Sequence, residues 1–393
     1  MFNVTKILCG LDQPMDALRY GHGAGAPQSA RARRPVVVWN LSRTCNLKCM
    51  HCYSDSAAMK YDGELSFDEG CKLLDDLAAF GVPAVLMSGG EPLARKDTLQ
   101  LAAHARSRGL KLTLSTNGTL IDKKTARSIK KLGFAYVGIS LDGVGSTNDL
   151  FRGVTGAFDR AVRGIRNLKA VGQKVGLRLT LSPHTVADLD ATFDFIEREG
   201  VERACFYHLV PSGRGKDTKQ LSAAQTRAAL DTIFRRTREL VAKGDPREIL
   251  TVDNHADGPY AYLRLAEAGD PLAARAYELM RWNGGGGSSS GTGIADIDWL
   301  GEVHPDQFSR WISFGNVKQR PFSEIWSDES NPMLQALRNR KDHIEGRCRS
   351  CRFFDVCGGN FRARAYAMTG NVWASDPGCH LTDDEISVGN GQA

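Results

Sequence analysis

The sequence predicts an α/β fold, a partial (β/α)6 TIM-like barrel followed by a smaller C-terminal region. Three observations predict it. Six short strand-like runs alternate with helical patterns between residues 36 and 210. Parallel strands joined through helices take right-handed crossovers, and eight units would close a full barrel where six leave it partial. Seven of the ten cysteines fall into two groups, one just after the first strand and one near the C-terminus.

Residues 1–35 are rich in Gly, Ala, Arg and Pro and read as an extended leader. The strand runs are 36–41, 84–88, 111–117, 136–142, 175–182 and 204–210. Ser66-Phe-Asp-Glu69 fits a capping box before an apolar-periodic helix, and Gly81 and Gly109 stand where helix C-terminal caps are expected. Residues 222–281 read as a helical extension with Ser222 as N-cap, so the barrel unit runs over 36–282. The stretch 283–293, nearly all Gly and Ser, reads as a linker or as a backbone loop that approaches a ligand closely. Residues 294–299 and 302–304, around Leu300-Gly301, read as a hairpin that opens a second region over 283–380. Residues 381–393 form an acidic tail, expected to be partly disordered.

Composition excludes several classes. Hydrophobic content of 42% and charged content of 24% are those of a globular chain. No apolar run approaches the ~20 residues that span a bilayer, and the first residues lack the pattern of a signal peptide. A cytoplasmic protein with no membrane partner is expected, in which ten cysteines are not structural disulfides. The net charge of +6 is too small and scattered for nucleic acid and suits an acidic small molecule or a solvated basic face. Cys9, Cys71 and Cys205 stand outside the two groups and read as packing residues.

The first group is Cys45-Asn-Leu-Lys-Cys49-Met-His-Cys52, at the C-terminal end of the first strand, where barrels of this kind place their chemistry. Three thiolates hold three irons of a [4Fe–4S] cluster and leave the fourth iron open, and an open position marks a catalytic metal site. A zinc knuckle short of one ligand is the other reading of the bare spacing. The second group is Cys348, Cys351, Cys357 and Cys379, four thiolates that suit a closed cluster or a structural zinc.

The first spacing, followed by Ser88-Gly89-Gly90-Glu91-Pro92 after the second strand, resembles the radical S-adenosylmethionine (SAM) enzymes. The resemblance implies that Cys45, Cys49 and Cys52 bind a [4Fe–4S] cluster whose open iron takes SAM. It implies that Gly89, Gly90 and Glu91 receive the SAM amino group. It also implies that Asn117, Ser140 and Asp142 lie at the strand ends near SAM, with Ser140 at the ribose, and that Arg152 meets the carboxylate. For His51 only the backbone is expected to matter, near the adenine. The second group resembles the SPASM iron–sulfur domain and implies an auxiliary [4Fe–4S] cluster on Cys348, Cys351, Cys357 and Cys379. That family's full pattern has seven cysteines. Asp306 and Phe361 stand here where two of them are expected, so the upstream auxiliary cluster should be absent.

The leader Asp16-Ala-Leu-Arg-Tyr-Gly21, with Val303-His-Pro-Asp-Gln-Phe308 and 314–326, resembles the haem-biosynthesis branch of these enzymes nearly end to end. The substrate then implied is an iron isobacteriochlorin with several carboxylates, and the electron donor a flavodoxin or ferredoxin. The leader favours removal of acetate arms over removal of propionate arms, and peptide modification is a third reading, for which 1–35 are too short to supply a peptide-binding domain. Arg19, Arg34 and Arg214 are candidate carboxylate forks. His208, just before Pro211-Ser-Gly-Arg-Gly215, is a candidate proton donor or axial ligand, with Tyr20, His22 and His304 as weaker ones.

Overall fold

Seven consecutive parallel strands stand where six were expected, and both ends of the sheet are extended by segments read otherwise. The computed structural model describes residues 1–12, 34–282 and 289–387. Its strands are β1 (Phe2–Asn3), β2 (Val36–Asn40), β3 (Val85–Ser88), β4 (Leu112–Thr116), β5 (Tyr136–Ser140), β6 (Val175–Leu181), β7 (Arg203–His208), β8 (Glu248–Val252), β9 (Ile294–Ile297) and β10 (Val303–His304). They form one sheet in the order β1-β8-β7-β6-β5-β4-β3-β2-β9-β10. Strands β2 to β8 run parallel to their neighbours, while β1 and β10 pair antiparallel at the edges, so the barrel stays open.

Burial on both faces explains the composition of the central strands. Val37, Trp39, Val85, Met87, Leu112, Leu114, Val137 and Ile139 are fully or almost fully shielded from solvent. Helices cover the outside. Helix Phe67–Phe80 opens with the expected reciprocal capping box between Ser66 and Glu69 and closes at Gly81. Gly109 takes the left-handed conformation one residue beyond the cap of helix Thr98–Ser107.

The stretch 222–281 is not helical throughout. Ser222 caps helix Ala223–Ala242, as read, but Gly244 and Pro246 follow and the chain enters β8 before helices Asp257–Glu267 and Leu272–Trp282. Every residue of β8 is buried, so the strand has no polar alternation to betray it.

The leader is not extended over its first residues. Phe2 and Asn3 pair with Thr251 and Leu250 of β8, and helix Val4–Cys9 follows. Asn3 caps that helix through Oδ1, accepting from Lys6 N at 3.0 Å, and Phe2, Val4, Ile7 and Leu8 are buried in the core. Arg19, Tyr20 and His22 lie outside the described residues, as does most of the Gly/Ser stretch. The hairpin forms as read, but β9 pairs parallel with β2 (Val36↔Ile294, Val38↔Asp296) and so continues the barrel sheet. In the tail, Thr382 and Glu385 make a capping box for helix Asp383–Ile386, and Glu385 accepts from Arg227. The tail is therefore ordered through residue 387.

Asn3→Ala removes a cap that also anchors β1. Loss of such a cap costs about 1 kcal/mol, and urea unfolding should show a lower midpoint with an unchanged slope.

Candidate active site

The cysteine loop leaves the C-terminal end of β2 and is held from three sides by backbone hydrogen bonds. Gly90 N donates to Ser42 O (2.7 Å) and Glu91 N to Thr44 O (2.8 Å). Lys48 N and Met50 N donate to Arg152 O (3.2 Å) and Phe151 O (2.9 Å), at the end of helix Ser146–Arg152. Arg214 N donates to Cys52 O at 3.0 Å. Side chains would not fit at these contacts. A Cβ on Gly90 would stand 2.4 Å from Thr44 O, and one on Gly213 2.4 Å from Cys52 O. Gly89, at φ 137°, would bring a Cβ to 2.5 Å from Ser42 O. The two motif glycines were expected to make room for a ligand. They make room first for the cysteine loop.

Each of the three sulfurs has donors turned towards it. Cys45 Sγ accepts from Leu47 N (3.4 Å) and Asn117 Nδ2 (3.9 Å), and Cys49 Sγ from Arg152 Nη1 (3.6 Å). Cys52 Sγ accepts from Ser56 N at 3.4 Å and lies 3.3 Å from Ser54 Oγ. Burial pushes the Cys45 thiol up to about 12 and raises Cys49 as well. Thiolates in such a setting need a cationic partner such as iron, which fits a metal centre. Among the described residues no three His, Cys, Asp or Glu side chains draw together as they would around one ion.

The strand-end residues divide into two sets. Asn117, Ser140 and Arg152 line the cleft beside the loop, with Gly89 and Gly90. Glu91 does not line it. Its carboxylate is fully buried and accepts from Leu93 N (3.0 Å), Thr116 Oγ1 (2.7 Å) and Asn117 N (2.7 Å), tying the end of β3 to the end of β4. The side chain expected to receive an ammonium group thus also braces the strand ends. Asp142 is also withdrawn from the cleft. It accepts from Thr180 N (2.6 Å) and pairs with Arg152 Nη2 (2.5 Å), with His51 Nε2 at 3.6 Å. Arg152 thus bridges Asp142 to the Cys49 sulfur. The His51 ring stacks on Phe151 at 4.5 Å, and burial pulls its pKa down to about 4.

The cleft at the strand C-termini encloses about 140 Å³ and has the three cysteines in its lining. The ends of β6, β7 and β8 bring Arg178, Thr180, Tyr207, His208 and Asp253 to it, and Phe308 stands 5.4 Å from Tyr53 beside the cysteine loop. Arg178 was missed in the sequence. Its guanidinium lies over the Tyr207 ring at 4.6 Å and, among the described residues, pairs with no carboxylate. The signal was present, a lone arginine inside the apolar run 175–181.

His208 does line the cleft. Arg214 lines it too: Nε donates to Cys49 O (2.9 Å), and Nη1 to Asp55 Oδ1 (2.8 Å) and Ser56 O (2.9 Å). It staples the cysteine loop, while its buried Nη2 has no hydrogen-bond partner among the described residues. Arg34 lies instead over Phe80 at 3.9 Å and donates to Phe80 O. His304 is buried off the cleft, with Nδ1 2.6 Å from Ile312 O.

Cys348, Cys351, Cys357 and Cys379 line a second, smaller cavity, walled by Phe353, Phe354, Leu381 and Ile386. Burial raises Cys357, and raises Cys379 to about 11. Four thiols around one apolar cavity fit a closed cluster. Asp306 is buried and accepts from Phe308 N (2.9 Å) and Ser309 Oγ (3.2 Å). Phe361 packs edge-on against Phe308.

The three-thiol loop thus stands at a parallel strand's C-terminal end, clamped by a Gly-Gly-Glu loop and opening on the cleft. Residues 39–196 match the Radical SAM superfamily, and residues 290–352 match SPASM, an iron-sulfur cluster-binding domain. The chain is 50% identical to Fe-coproporphyrin III synthase of Methanosarcina barkeri, over 98% of this chain and 99% of that protein. It is 45% identical to pre-heme d1 synthase of Dinoroseobacter shibae, over 92% and 90%. Two solved structures share the fold at lower identity. Streptococcus suis SuiB bound to S-adenosylmethionine gives a TM-score of 0.69 at 18% identity, covering 89% of this chain and 78% of that one. The enzyme anSMEcpe with bound AdoMet gives 0.69 at 19%, covering 88% and 93%. The chain belongs to the radical SAM superfamily, in its SPASM-bearing haem-biosynthesis branch. Its cofactors are SAM and two [4Fe–4S] clusters. No helix among the described residues is long and apolar enough to cross a membrane.

If Glu91 braces the strand ends, Glu91→Gln turns an amide N–H against the Asn117 or Thr116 donor. We expect a loss of about 1–3 kcal/mol in urea unfolding, with SAM affinity of the folded fraction nearly unchanged in calorimetry. Weaker SAM binding at unaltered stability would return the carboxylate to the ligand.

Proposed function

We propose that this enzyme removes the two acetate side chains of 12,18-didecarboxysirohaem to give Fe-coproporphyrin III, as a deacetylase of the alternative haem route. The observation that carries this reading is the 50% identity with Fe-coproporphyrin III synthase over nearly the whole of both chains. The cleft supports it. It is mostly apolar and carries Arg152, Arg178 and Arg214 in its lining, which suits a flat macrocycle bearing carboxylates.

In this reading Cys45, Cys49 and Cys52 hold the SAM-binding cluster, and Cys348, Cys351, Cys357 and Cys379 the auxiliary one. Bound there, SAM and its cluster supply a 5′-deoxyadenosyl radical able to abstract hydrogen. The chain's own residues bind and orient. Arg152 holds positive charge against the Cys49 sulfur and towards the SAM carboxylate, its orientation fixed by Asp142. Ser140 and Asn117 face the ribose from the ends of β5 and β4. The Gly89-Gly90 backbone, rather than the Glu91 side chain, faces the amino group. His51 and Phe151 form an apolar lid on the cysteine loop. Cys348, Cys351, Cys357 and Cys379 would together hold the auxiliary cluster, which would supply electron transfer, with a flavodoxin or ferredoxin as the donor in the cytoplasm.

The 45% identity with pre-heme d1 synthase supports a second reading, removal of propionate arms from the same substrate. One experiment separates them. The iron-reconstituted protein is incubated anaerobically with SAM, dithionite and 12,18-didecarboxysirohaem, and the tetrapyrrole is read by mass spectrometry. Loss of two carboxymethyl arms is expected. Loss of propionate arms would establish the second reading, and SAM cleavage beside an untouched macrocycle would refute both.

A further inference from the structure

Two histidines line the cleft among the described residues, and they are built differently. His51 has its Nε2 turned to Asp142, and its Nδ1 is sealed from solvent without a partner. It has no nitrogen to offer. His208, at the C-terminal end of β7, is only 7% exposed. Its Nε2 lies 2.8 Å from Asp257 Oδ2. Asp257 opens helix Asp257–Glu267 and is fully buried. Burial raises its carboxyl, but the pairing with His208 and the nearness of His380 outweigh this and hold it below the usual range. An ionised Asp257 accepts the Nε2 proton and leaves the lone pair on Nδ1. Nδ1 forms no hydrogen bond among the described residues and, unlike that of His51, is not sealed from solvent, and the side chain lines both the cleft and a small cavity beside Asn254 and Cys379.

A carboxylate on one ring nitrogen, with the other nitrogen open to a cavity, is the arrangement of a metal-ligating histidine. A satisfied core histidine would have both nitrogens engaged or enclosed. The cavity that holds all four auxiliary thiols does not include His208, which shares only a small neighbouring cavity with Cys379.

We propose that His208 is the axial ligand of the substrate's iron, bound through Nδ1, with Asp257 as its positioning residue. The inference rests on the tetrapyrrole reading and adds to it the orientation of the macrocycle. The iron sits over the end of β7, across the cleft from the cysteine loop. Arg178 and Tyr207, on β6 and β7, then lie on the substrate's side of the cleft, where the unpaired guanidinium meets a carboxylate arm. Asp257 Oδ1 is 3.9 Å from His380 Nε2, next in sequence to Cys379, so the substrate iron and the auxiliary thiols share one short run of buried side chains.

The test uses the reconstituted holoenzyme with Fe-coproporphyrin III, the proposed product, as probe. Difference absorption and ferric electron paramagnetic resonance are recorded against the holoenzyme alone. The wild type should shift the Soret band and give the high-spin ferric signal of a single histidine ligand. His208→Ala should lose the shift and change that signal, while the probe still binds within a few-fold by fluorescence quenching, and added imidazole should restore the shift. Asp257→Asn should keep the histidine-ligated signal but move its g values. An unchanged wild-type spectrum in His208→Ala would overturn the ligation, and unchanged g values in Asp257→Asn would overturn the positioning role. If His208→Ala loses its clusters, His208→Gln with the same imidazole rescue decides. Failure of the wild type to bind any iron tetrapyrrole would instead sink the functional reading itself.

Discussion

The backbone clamp on the cysteine loop is the constraint on which the site depends. Eight residues cannot present three thiols at fixed spacing by themselves, because they have no regular structure to hold them. Here the loop takes its shape from outside. The Gly89-Gly90-Glu91 segment, the end of helix Ser146–Arg152 and the Gly213–Gly215 turn each lend backbone partners to it. These segments are far apart in sequence and meet only because parallel strands deliver their C-terminal ends to one rim. The sheet positions the rim, the rim shapes the loop, and the loop aims the sulfurs into the cleft.

Charge follows the same plan. Arg152 would be costly to bury alone, and Asp142 equally so. Together with the Cys49 sulfur they form one compensated run, which fixes a cation beside a thiolate that burial disfavours. Arg214 adds a second guanidinium to the loop and is itself held by Asp55. On the opposite wall Arg178 has no such carboxylate, and His208 has one on a single nitrogen.

Much of this was legible in the sequence where a local rule governs. The capping box at Ser66, the N-cap at Ser222 and the strands from β2 to β7 rest on short-range geometry. The two cysteine groups declared themselves by spacing. What stayed hidden depends on partners distant in the chain. Strand β8 is buried on every residue and shows no alternation. Phe2 and Asn3 become a strand only because β8 offers an edge. Glu91 and Asp142 look like ligand residues by position, yet both are consumed by neighbours on adjacent strands. Asp257 sits in an unremarked helix start, and only the packing of that helix behind β7 joins it to His208.

The central claim is that SAM at the cysteine loop and a tetrapyrrole on the facing wall share one cleft. It is tested most directly by isotope transfer. Substrate deuterated at the reduced ring carbons beside the acetate-bearing positions is turned over anaerobically, and the released 5′-deoxyadenosine is weighed by mass spectrometry. The account predicts that the nucleoside gains one deuterium from the ring. Nucleoside without deuterium, formed while the acetate arms leave, would contradict it.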